Sequence, residues 1–252
     1  MPITCTVDNG IAEIVMANPP VNALTVAGWF ELAEILLAAG RDQSVGAVVL
    51  RADGKGFNAG VDIKEMQNTE GFDALIGANQ GCAAAFAAVY DCEVPVIAAV
   101  HDFCLGGGIG LVGSADIVIA AEGTRFGLPE VNQGALGGAT HLSRLVPQHA
   151  MRQAVYTAEP IDAAVLANWG SVAAVVPADE LRGAALEMAA KICTKSRLVI
   201  RRAKESLNAI DPVDIKRSYR MEQGFTFELN LTGVSDEARD AFVDKTEARF
   251  TK

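Results

Sequence analysis

The N-terminal residues show the two-residue period of a β-hairpin. Residues 4–8 and 11–16 alternate apolar and polar side chains on either side of Asn9-Gly10, a dipeptide preferred in two-residue hairpin turns. The period then becomes helical, because apolar side chains recur three or four positions apart from Trp29 to Leu37. Thr25 precedes this segment as a cap and Gly40 ends it.

Three later apolar runs predict buried strands at residues 45–52, 96–100 and 117–121. Helical segments separate them, at residues 72–90 and from the glycines at 106–108 to about residue 115. This alternation of strand, turn and helix predicts an α/β fold with crossover helices.

The pattern becomes mostly helical after Pro147. A single further strand is predicted at residues 172–176, and the predicted helices cover residues 179–194, 196–207, 213–231 and 235–250. We therefore divide the chain into a core, residues 1–195, and a helical region, residues 196–252. Within that region the alternation of Phe225, Phe227, Leu229 and Leu231 fits a helix poorly and predicts a packed interface segment.

Composition excludes several classes of function. Half of the 252 residues are hydrophobic, which is typical of a globular chain and excludes disorder. The balance of 21 basic and 31 acidic residues gives a net charge of −10. Nucleic acid is therefore not an expected partner, although a small anionic ligand needs only a few local donors.

Targeting and cysteine patterns favour a cytoplasmic protein. The first residues lack the basic and apolar regions of a secretory signal, and no uncharged apolar run is long enough for a membrane span. The five cysteines form no C-x-x-C pair, and the three histidines are scattered. We expect a reduced compartment, no membrane partner and no metal site.

Two glycine-rich loops carry the candidate chemistry. Residues 54–64 follow a predicted strand, and their small side chains let the backbone approach a ligand closely. Lys64 could pair with a phosphate of that ligand. Residues 101–110 place three glycines at the start of a short helix, where free N–H groups attract anions. Each loop alone could be an ordinary turn or a site of close packing. Together they could donate one N–H each to a single oxygen, as in an oxyanion hole.

A dinucleotide fingerprint competes for the second loop. Residues 108–113, GIGLVG, match G-x-G-x-x-G. The preceding strand ends too early, at Val100, and Gly113-Ser114 interrupts the helix that should follow. No acidic residue ends a strand about 20 positions later. Nicotinamide binding is therefore disfavoured.

Four motifs in a fixed order resemble the crotonase superfamily, the enoyl-CoA hydratase/isomerase family. They are NPPVNAL at residues 18–24, FNAGVDIK at 57–64, LGGG at 105–108 and FGLPE at 126–130. The resemblance implies a ββα spiral core and a helical C-terminal region that forms trimers, often paired into hexamers. It also implies an acyl-CoA substrate and no metal or redox cofactor, since coenzyme A belongs to the substrate.

The resemblance also assigns roles to residues. The thioester oxygen would lie between the backbone N–H groups of Val61 and Gly107, residues 58–61 would border the adenine, and Glu130 would be the acid/base residue. The other candidate contacts to substrate or coenzyme A are Asn58, Ala59, Gly60, Asp62, Lys64, Gly106, Gly108, Gly110, Asn132 and His141.

One position departs from the family pattern. Hydratases of the family use two glutamates around a water molecule, and the second of them matches Gly110. One acid/base group is typically worth 10²–10⁴-fold in rate, so hydration of a straight-chain enoyl-CoA is disfavoured, whereas isomerisation needs only one. We also expect the missing side chain to free volume for a bulkier acyl group.

A closer resemblance points to the actinobacterial steroid-catabolic branch of the family. Residues 101–113, 128–147 and 220–230 carry it. Enzymes of that branch hydrolyse a ring C–C bond of a bicyclic diketo-indene carboxyl-CoA. The main hypothesis is thus a C–C hydrolase in which Glu130 is the base or proton shuttle. The alternatives are an enoyl-CoA hydratase or isomerase and a non-catalytic CoA-binding protein.

Simpler interpretations exist for individual polar residues. Glu130 follows Pro129 and could merely cap a turn. Asp62 could hold its own loop through backbone hydrogen bonds. His101 ends an apolar strand and is more typical of a hydrogen-bonded packing residue, while His141 could face solvent.

Overall fold

The computed structural model describes residues 3–244 and residue 246. It begins with an antiparallel hairpin of β1 (Ile3–Asp8) and β2 (Ile11–Met16). Asn9 and Gly10 turn the chain with φ values of 49° and 81°, in the left-handed region that Asn and Gly tolerate best. The predicted hairpin is confirmed.

The main sheet has six strands in the order β1-β2-β3-β4-β6-β9. From β2 onward all neighbouring strands are parallel. The added strands are β3 (Ala47–Ala52), β4 (Val96–Val100), β6 (Ile117–Ala121) and β9 (Ala174–Val176). The predicted strands of the α/β core are confirmed, each within two residues of its observed start.

A second, three-stranded sheet was not predicted. In it β5 (Phe103–Leu105) pairs in parallel with β7 (Arg125–Gly127), and β7 pairs antiparallel with β8 (Ile161–Asp162). These strands are too short for a periodic signal. They matter because β5 and β7 bring the glycines after Leu105 beside the segment that carries Glu130.

Eleven helices are described. They are α1 (Val26–Arg41), α2 (Ile63–Asn68), α3 (Asp73–Tyr90), α4 (Gly107–Ser114), α5 (Ala139–Leu142), α6 (Gln148–Thr157), α7 (Ala163–Asn168), α8 (Leu181–Cys193), α9 (Arg197–Ala209), α10 (Ile215–Leu231) and α11 (Val234–Asp244). A 3₁₀ turn covers Pro129–Gln133. The sequence did not predict α2, α6 or α7, of which two have six residues.

The main sheet is buried on both faces. Val48 and Leu50 of β3 face the larger core, which includes Trp29 of α1 and Phe86 of α3. The alternate residues Ala47 and Val49 face a smaller core that also contains residues of α8. Burial on both faces explains why the strands read as continuous apolar runs.

Two predictions about helices are wrong. Gly40 does not end α1, which continues to Arg41. A Cβ at Gly40 would lie 2.9 Å from Cys92 Sγ, so this glycine serves close packing. Residues 225–231 do form a helix, because α10 runs through them unbroken, while the interface role of this segment stays a prediction. On a helix, residues two positions apart, such as Phe225 and Phe227, point in different directions. Phe225 and Leu231 are exposed.

The last predicted helix lies only partly in the described part of the chain. Helix α11 ends at Asp244, and the remainder of the predicted segment, apart from residue 246, lies outside the described residues. Among the described helices none combines the length and apolarity needed to cross a membrane. The division of the chain near residue 195 stays a prediction.

Candidate active site

Two backbone N–H groups face one cavity without a partner among the described residues. A short parallel bridge pairs Leu24 with Val61, in which Leu24 N donates to Gly60 O at 2.9 Å and Asp62 N to Leu24 O at 2.9 Å. This pairing leaves the N–H of Val61 free. Gly107 is the first residue of α4, so its N–H has no acceptor within the helix. Both residues line the same cavity.

The two loops that supply these N–H groups are in contact. A Cβ placed on Gly60 would lie 3.1 Å from the backbone N of Gly107. Gly60 also has a φ of 88°, which disfavours any other residue. The start of α4 adds its positive helix end to the same point. The arrangement can therefore stabilise a negatively charged oxygen.

Asn58 holds the first loop in place. Its Nδ2 donates to Asn22 O at 2.5 Å, and its Oδ1 accepts from Gly60 N at 2.8 Å. Asn22 in turn donates to the carbonyls of Asp53 and Gly56, both at 2.7 Å. The Asn58 side chain is fully buried and absent from the cavity wall. Its observed role is to position the loop.

Glu130 lies beside this pair of N–H groups. It belongs to the 3₁₀ turn, and its Oε1 would be 3.0 Å from a Cβ on Gly106. Gly106 has a φ of 56° and immediately precedes Gly107. A side chain at Gly106 would therefore push against the carboxyl group of Glu130.

The Oε2 atom of the Glu130 carboxyl group is buried and has no hydrogen-bond partner in the described part of the chain. Burial is the main cause that raises the pKa of Glu130 to about 8; a backbone hydrogen bond opposes it, and the nearby Glu222 carboxylate contributes to the rise. A carboxyl group with a pKa in this range can both accept and return a proton near neutral pH.

The cavity that contains these groups has a volume of about 340 Å³, within the range of small-molecule sites. Glu130 is the single carboxylic acid among its described lining residues. Apolar and glycine residues dominate its walls, namely Ala59, Gly60, Val61, Ile63, Met66, Leu75, Ala78, Phe86, Leu105, Gly106, Gly107, Pro129, Ala135, Leu136, Gly137, Gly138 and Phe242. The polar or sulfur-containing remainder is Asn79, Cys82, Glu130, Gln133, Tyr219, Thr226, Asn230 and Arg239.

Gly110 does not free volume for the acyl group, contrary to expectation. A Cβ at this position would lie 2.1 Å from Phe86 Cζ, so the Phe86 ring occupies the space. Phe86 packs edge-on against Trp29 with ring centroids 5.6 Å apart. Gly110 itself does not line the cavity, whereas Phe86 does.

His141 lies behind the cavity wall. It is buried at 1% exposure, not solvent-facing, and its ring centroid is 4.9 Å from that of Phe86 and 5.0 Å from that of Tyr219. Burial, and to a smaller extent the Arg144 guanidinium, lowers the pKa of His141 to about 3. His141 is therefore a neutral residue behind the rings of Phe86 and Tyr219, and it does not line the cavity.

Of the other predicted contacts, Ala59, Gly60 and Gly106 line the cavity, whereas Asp62, Lys64, Gly108 and Asn132 do not. Asp62 caps α2, and its Oδ1 accepts from Lys64 N at 2.9 Å. The Lys64 and Asn132 side chains are exposed. A Cβ at Gly108 would meet Asn58 O at 2.8 Å, so Gly108 serves loop packing. His101 Nε2 lies 3.1 Å from Gly54 O, which is the packing contact considered above.

Seven polar or thiol-bearing lining residues were missed by the sequence reasoning: Asn79, Cys82, Gln133, Tyr219, Thr226, Asn230 and Arg239. Asn79 and Cys82 lie in α3, whose apolar pattern predicted only packing. Tyr219 and Arg239 lie in helices that the sequence assigned to oligomer contacts. Asn79 is the most unusual, because its Nδ2 is buried with no partner among the described residues. No local pattern marks any of them.

The fold and this site define a class of protein. A family model described as enoyl-CoA hydratase/isomerase matches residues 6–252. The chain belongs to that family, the crotonase superfamily. A solved enoyl-CoA hydratase from Mycobacterium avium subsp. paratuberculosis K-10 has the same fold. Its TM-score is 0.88 at 23% identity, with 100% of this chain and 99% of that one covered. The predicted crotonase-type core with C-terminal helices is confirmed.

Two curated relatives are much more similar. A protein of Rhodococcus jostii (strain RHA1) is 60% identical over 99% of this chain and 97% of its own length. A protein of Mycobacterium tuberculosis (strain ATCC 25618 / H37Rv) is 61% identical over 98% of this chain and 100% of its own length. Both are named (7aS)-7a-methyl-1,5-dioxo-2,3,5,6,7,7a-hexahydro-1H-indene-carboxyl-CoA hydrolase.

Proposed function

We propose that this protein hydrolyses a ring C–C bond of a bicyclic diketo-indene carboxyl-CoA formed in steroid catabolism. The observation that carries the proposal is the single buried carboxyl group of Glu130 beside two free backbone N–H groups. The two relatives of about 60% identity are named as hydrolases of a dioxo-indene carboxyl-CoA and support the choice of substrate. A hydratase of the two-glutamate type is less well supported, because Phe86 fills the space at Gly110.

The thioester is held by the backbone. Its carbonyl oxygen accepts hydrogen bonds from Val61 N and Gly107 N, both of which face the cavity. Charge that develops on this oxygen in the transition state is stabilised by preorganised donors, each worth roughly 3–4 kcal/mol. The proposed chemistry needs water and the chain's own residues, with coenzyme A as part of the substrate.

The ring opens in two steps around Glu130. The Glu130 carboxylate takes a proton from water, and the hydroxyl oxygen bonds to the carbon of a ring ketone. The adjacent ring C–C bond then breaks, and its electron pair passes into the thioester as an enolate. Glu130 returns its proton to the carbon that lost the bond, and the former ketone carbon becomes a carboxylate with loss of one proton to solvent. One water is consumed in all.

Helices α9 and α10 support the further proposal of a homotrimer or a dimer of trimers. Leu198, Val199 and Leu207 of α9 are 66%, 62% and 61% exposed, and Met221 and Leu231 of α10 are 64% and 75% exposed. Apolar side chains in such numbers on two successive helices are typical of an interface. Light scattering after size-exclusion chromatography should give three or six chain masses, and a monomer would refute this assembly. The cytoplasmic location stays a prediction.

The test of function is a side-by-side assay by liquid chromatography and tandem mass spectrometry. One reaction contains crotonyl-CoA and the other the dioxo-indene carboxyl-CoA. Hydration and ring hydrolysis both add one water, so fragmentation must distinguish a hydroxyl product from a ring-opened acid. We expect ring opening and no turnover of crotonyl-CoA. Rapid hydration of crotonyl-CoA without ring opening would refute the proposal.

A further inference from the structure

The cavity wall opposite the glycine loops is built by α10 and α11. Its four polar side chains are those of Tyr219, Thr226, Asn230 and Arg239. Thr226 Oγ1 is already engaged, since it donates to Leu136 O at 2.5 Å and accepts from Leu136 N at 3.2 Å. Asn230 donates through Nδ2 to Thr226 O at 2.8 Å. These two side chains are therefore largely satisfied within the protein.

Arg239 is not satisfied in this way. Its Nη1 donates to Asn230 Oδ1 at 2.7 Å, and its Nη2 donates to Asp236 Oδ1. A guanidinium has five N–H groups and stays charged at all relevant pH values, so three N–H groups lack an acceptor among the described residues. The Arg239 side chain is only 19% exposed. Arg239 can therefore donate further hydrogen bonds to a ligand in the cavity.

The neighbouring acids do not neutralise Arg239 at the cavity. Asp236 is 66% exposed, and such an ion pair is weak in water. Asp236 and Asp240 line an adjoining cleft and do not line the cavity, whereas Met66, Leu75, Asn230 and Arg239 line both. Inside the cavity Arg239 therefore presents positive charge to an otherwise mostly apolar space.

Arg239 is also tied to the turn that carries Glu130. Ser235, at the start of α11, donates through Oγ to Gly134 O at 2.5 Å, directly after that turn. Residues four apart lie on the same helix face, so Arg239 follows this anchor by one helical turn. Its distance from the Glu130 turn is thus fixed by α11.

We propose that Arg239 binds the carboxylate that ring opening creates. This inference rests on the proposed function. A ring ketone offers one neutral oxygen, whereas the product carboxylate offers two oxygens and a charge that match the guanidinium fork. Arg239 therefore gains contacts as the reaction proceeds, which favours the transition state and product over the substrate.

The test compares substrate and product binding by isothermal titration calorimetry. The Glu130→Gln variant binds dioxo-indene carboxyl-CoA without turnover, and the ring-opened acid is prepared with the wild-type enzyme. Adding Arg239→Met should weaken binding of the acid at least tenfold and binding of the ring-closed thioester less than threefold, as expected for loss of a charge-assisted pair. Equal losses for both ligands, or no loss for the acid, would overturn the inference.

Two variants control for charge and folding. Arg202→Met removes an exposed arginine that pairs with Glu205 and should leave both affinities unchanged. Asp236→Asn removes the exposed partner of Arg239 and should preserve or improve binding of the acid. If Arg239→Met does not fold, Arg239→Lys keeps the charge without the fork and should still bind the acid more weakly than the wild-type residue does.

Failure of the proposed function can be separated from failure of this inference. Two pairs of simple thioesters serve as probes: glutaryl-CoA with valeryl-CoA, whose acyl chains have five carbons, and adipoyl-CoA with hexanoyl-CoA, whose acyl chains have six. Only the first member of each pair carries a terminal carboxylate. Arg239→Met should selectively weaken a dicarboxylate thioester. If ring opening is absent but this selectivity remains, the proposed reaction fails and carboxylate recognition stands. If ring opening occurs without any selectivity, the inference about Arg239 fails alone.

Discussion

The carboxyl groups of Glu13 and Glu130 are both largely withdrawn from solvent, but their surroundings are opposite. Glu13, in β2, accepts from Arg51 Nε at 2.5 Å and from Arg182 Nε and Nη2, both at 2.7 Å. Hydrogen bonding to Arg182, assisted by Arg51, lowers the pKa of Glu13 to about 2. Glu130 has no arginine partner among the described residues, and burial raises its pKa to about 8.

This difference separates a structural carboxylate from one suited to chemistry. The Glu13 cluster joins β2, β3 and α8 and satisfies the oxygens of the carboxylate. The Oε2 of Glu130 is left unsatisfied, at a cost of about 1–3 kcal/mol. Groups kept in such surroundings are candidates for catalysis, because the perturbed pKa is what proton transfer at neutral pH requires.

The largest expected effect is on turnover. Glu130→Gln keeps the shape of the side chain but cannot accept the proton of water. Ring opening should fall by about 10²–10⁴-fold, the usual contribution of one acid/base group, while binding of the CoA thioester persists. Product formation by mass spectrometry and calorimetric binding together measure this. The matched control, Glu13→Gln, should retain turnover per folded molecule, and unchanged turnover in Glu130→Gln would remove Glu130 from the mechanism.

The next effect is on stability and concerns Glu13. Glu13→Gln removes the charge that Arg51 and Arg182 share. We expect the free energy of unfolding to fall by about 2 kcal/mol, since hydrogen bonds to charged groups contribute about 1.5–3 kcal/mol each and Arg182 is partly solvated. Urea unfolding followed by circular dichroism tests this. A loss under about 0.5 kcal/mol would mean that the cluster is only a surface ion pair.

The two carboxylates should also give opposite dependences of stability on pH. The pKa of Glu13 is about 2 in the folded chain against an ordinary value of 4.5, so its contribution is lost as pH falls through that window. The pKa of Glu130 is about 8 against 4.5, so the unfolded chain loses its proton first and stability falls as pH rises between them. The slope can reach about 1.4 kcal/mol per pH unit.

Glu130→Gln removes this second slope. Relative to wild type, the variant should become progressively more stable from pH 5 to pH 8, in urea titrations at several pH values. A difference that does not vary with pH would contradict the raised pKa of Glu130. The same pKa predicts that kcat/KM for ring opening rises with pH and levels off above about pH 8, because the base form of Glu130 is required.

The smallest expected effect concerns a third carboxylate, Asp62. It caps α2 through a bond from Lys64 N, and an N-cap is typically worth about 1 kcal/mol. Asp62→Ala should lower stability by about that amount with little change in KM, and Asp62→Asn should restore the cap. A tenfold rise in KM without a stability change would instead place Asp62 in contact with the substrate.

The sequence predicted well what local patterns determine. The hairpin at Asn9-Gly10, the strands of the main sheet and long helices such as α3 follow from periodicity and turn residues. The motif-based assignment placed Val61, Gly107 and Glu130 in one cavity, where the structure also brings them together. Four-residue α5 and two-residue β8 are too short to produce a period.

Packing between distant residues could not be predicted. Gly110 signals a missing side chain, but only the fold shows that Phe86, in another helix, fills the space. Likewise Asn58 looks like a polar ligand contact until its hydrogen bonds to Asn22 and Gly60 are seen. Arg239 is one of many charged residues in the helical region, and its partial burial on the cavity wall depends on how α11 packs.

The construction of the cavity from two separate parts of the chain bears on how such enzymes diversify. The N–H donors and Glu130 lie between residues 61 and 130, whereas α10 and α11 build the facing wall from residues 219 to 242. Substitutions at Tyr219, Thr226, Asn230 and Phe242 can therefore change which acyl group is accepted while the N–H donors and Glu130 stay in place. A mutant library confined to these four residues should yield altered acyl preference at a much higher frequency than loss of catalysis.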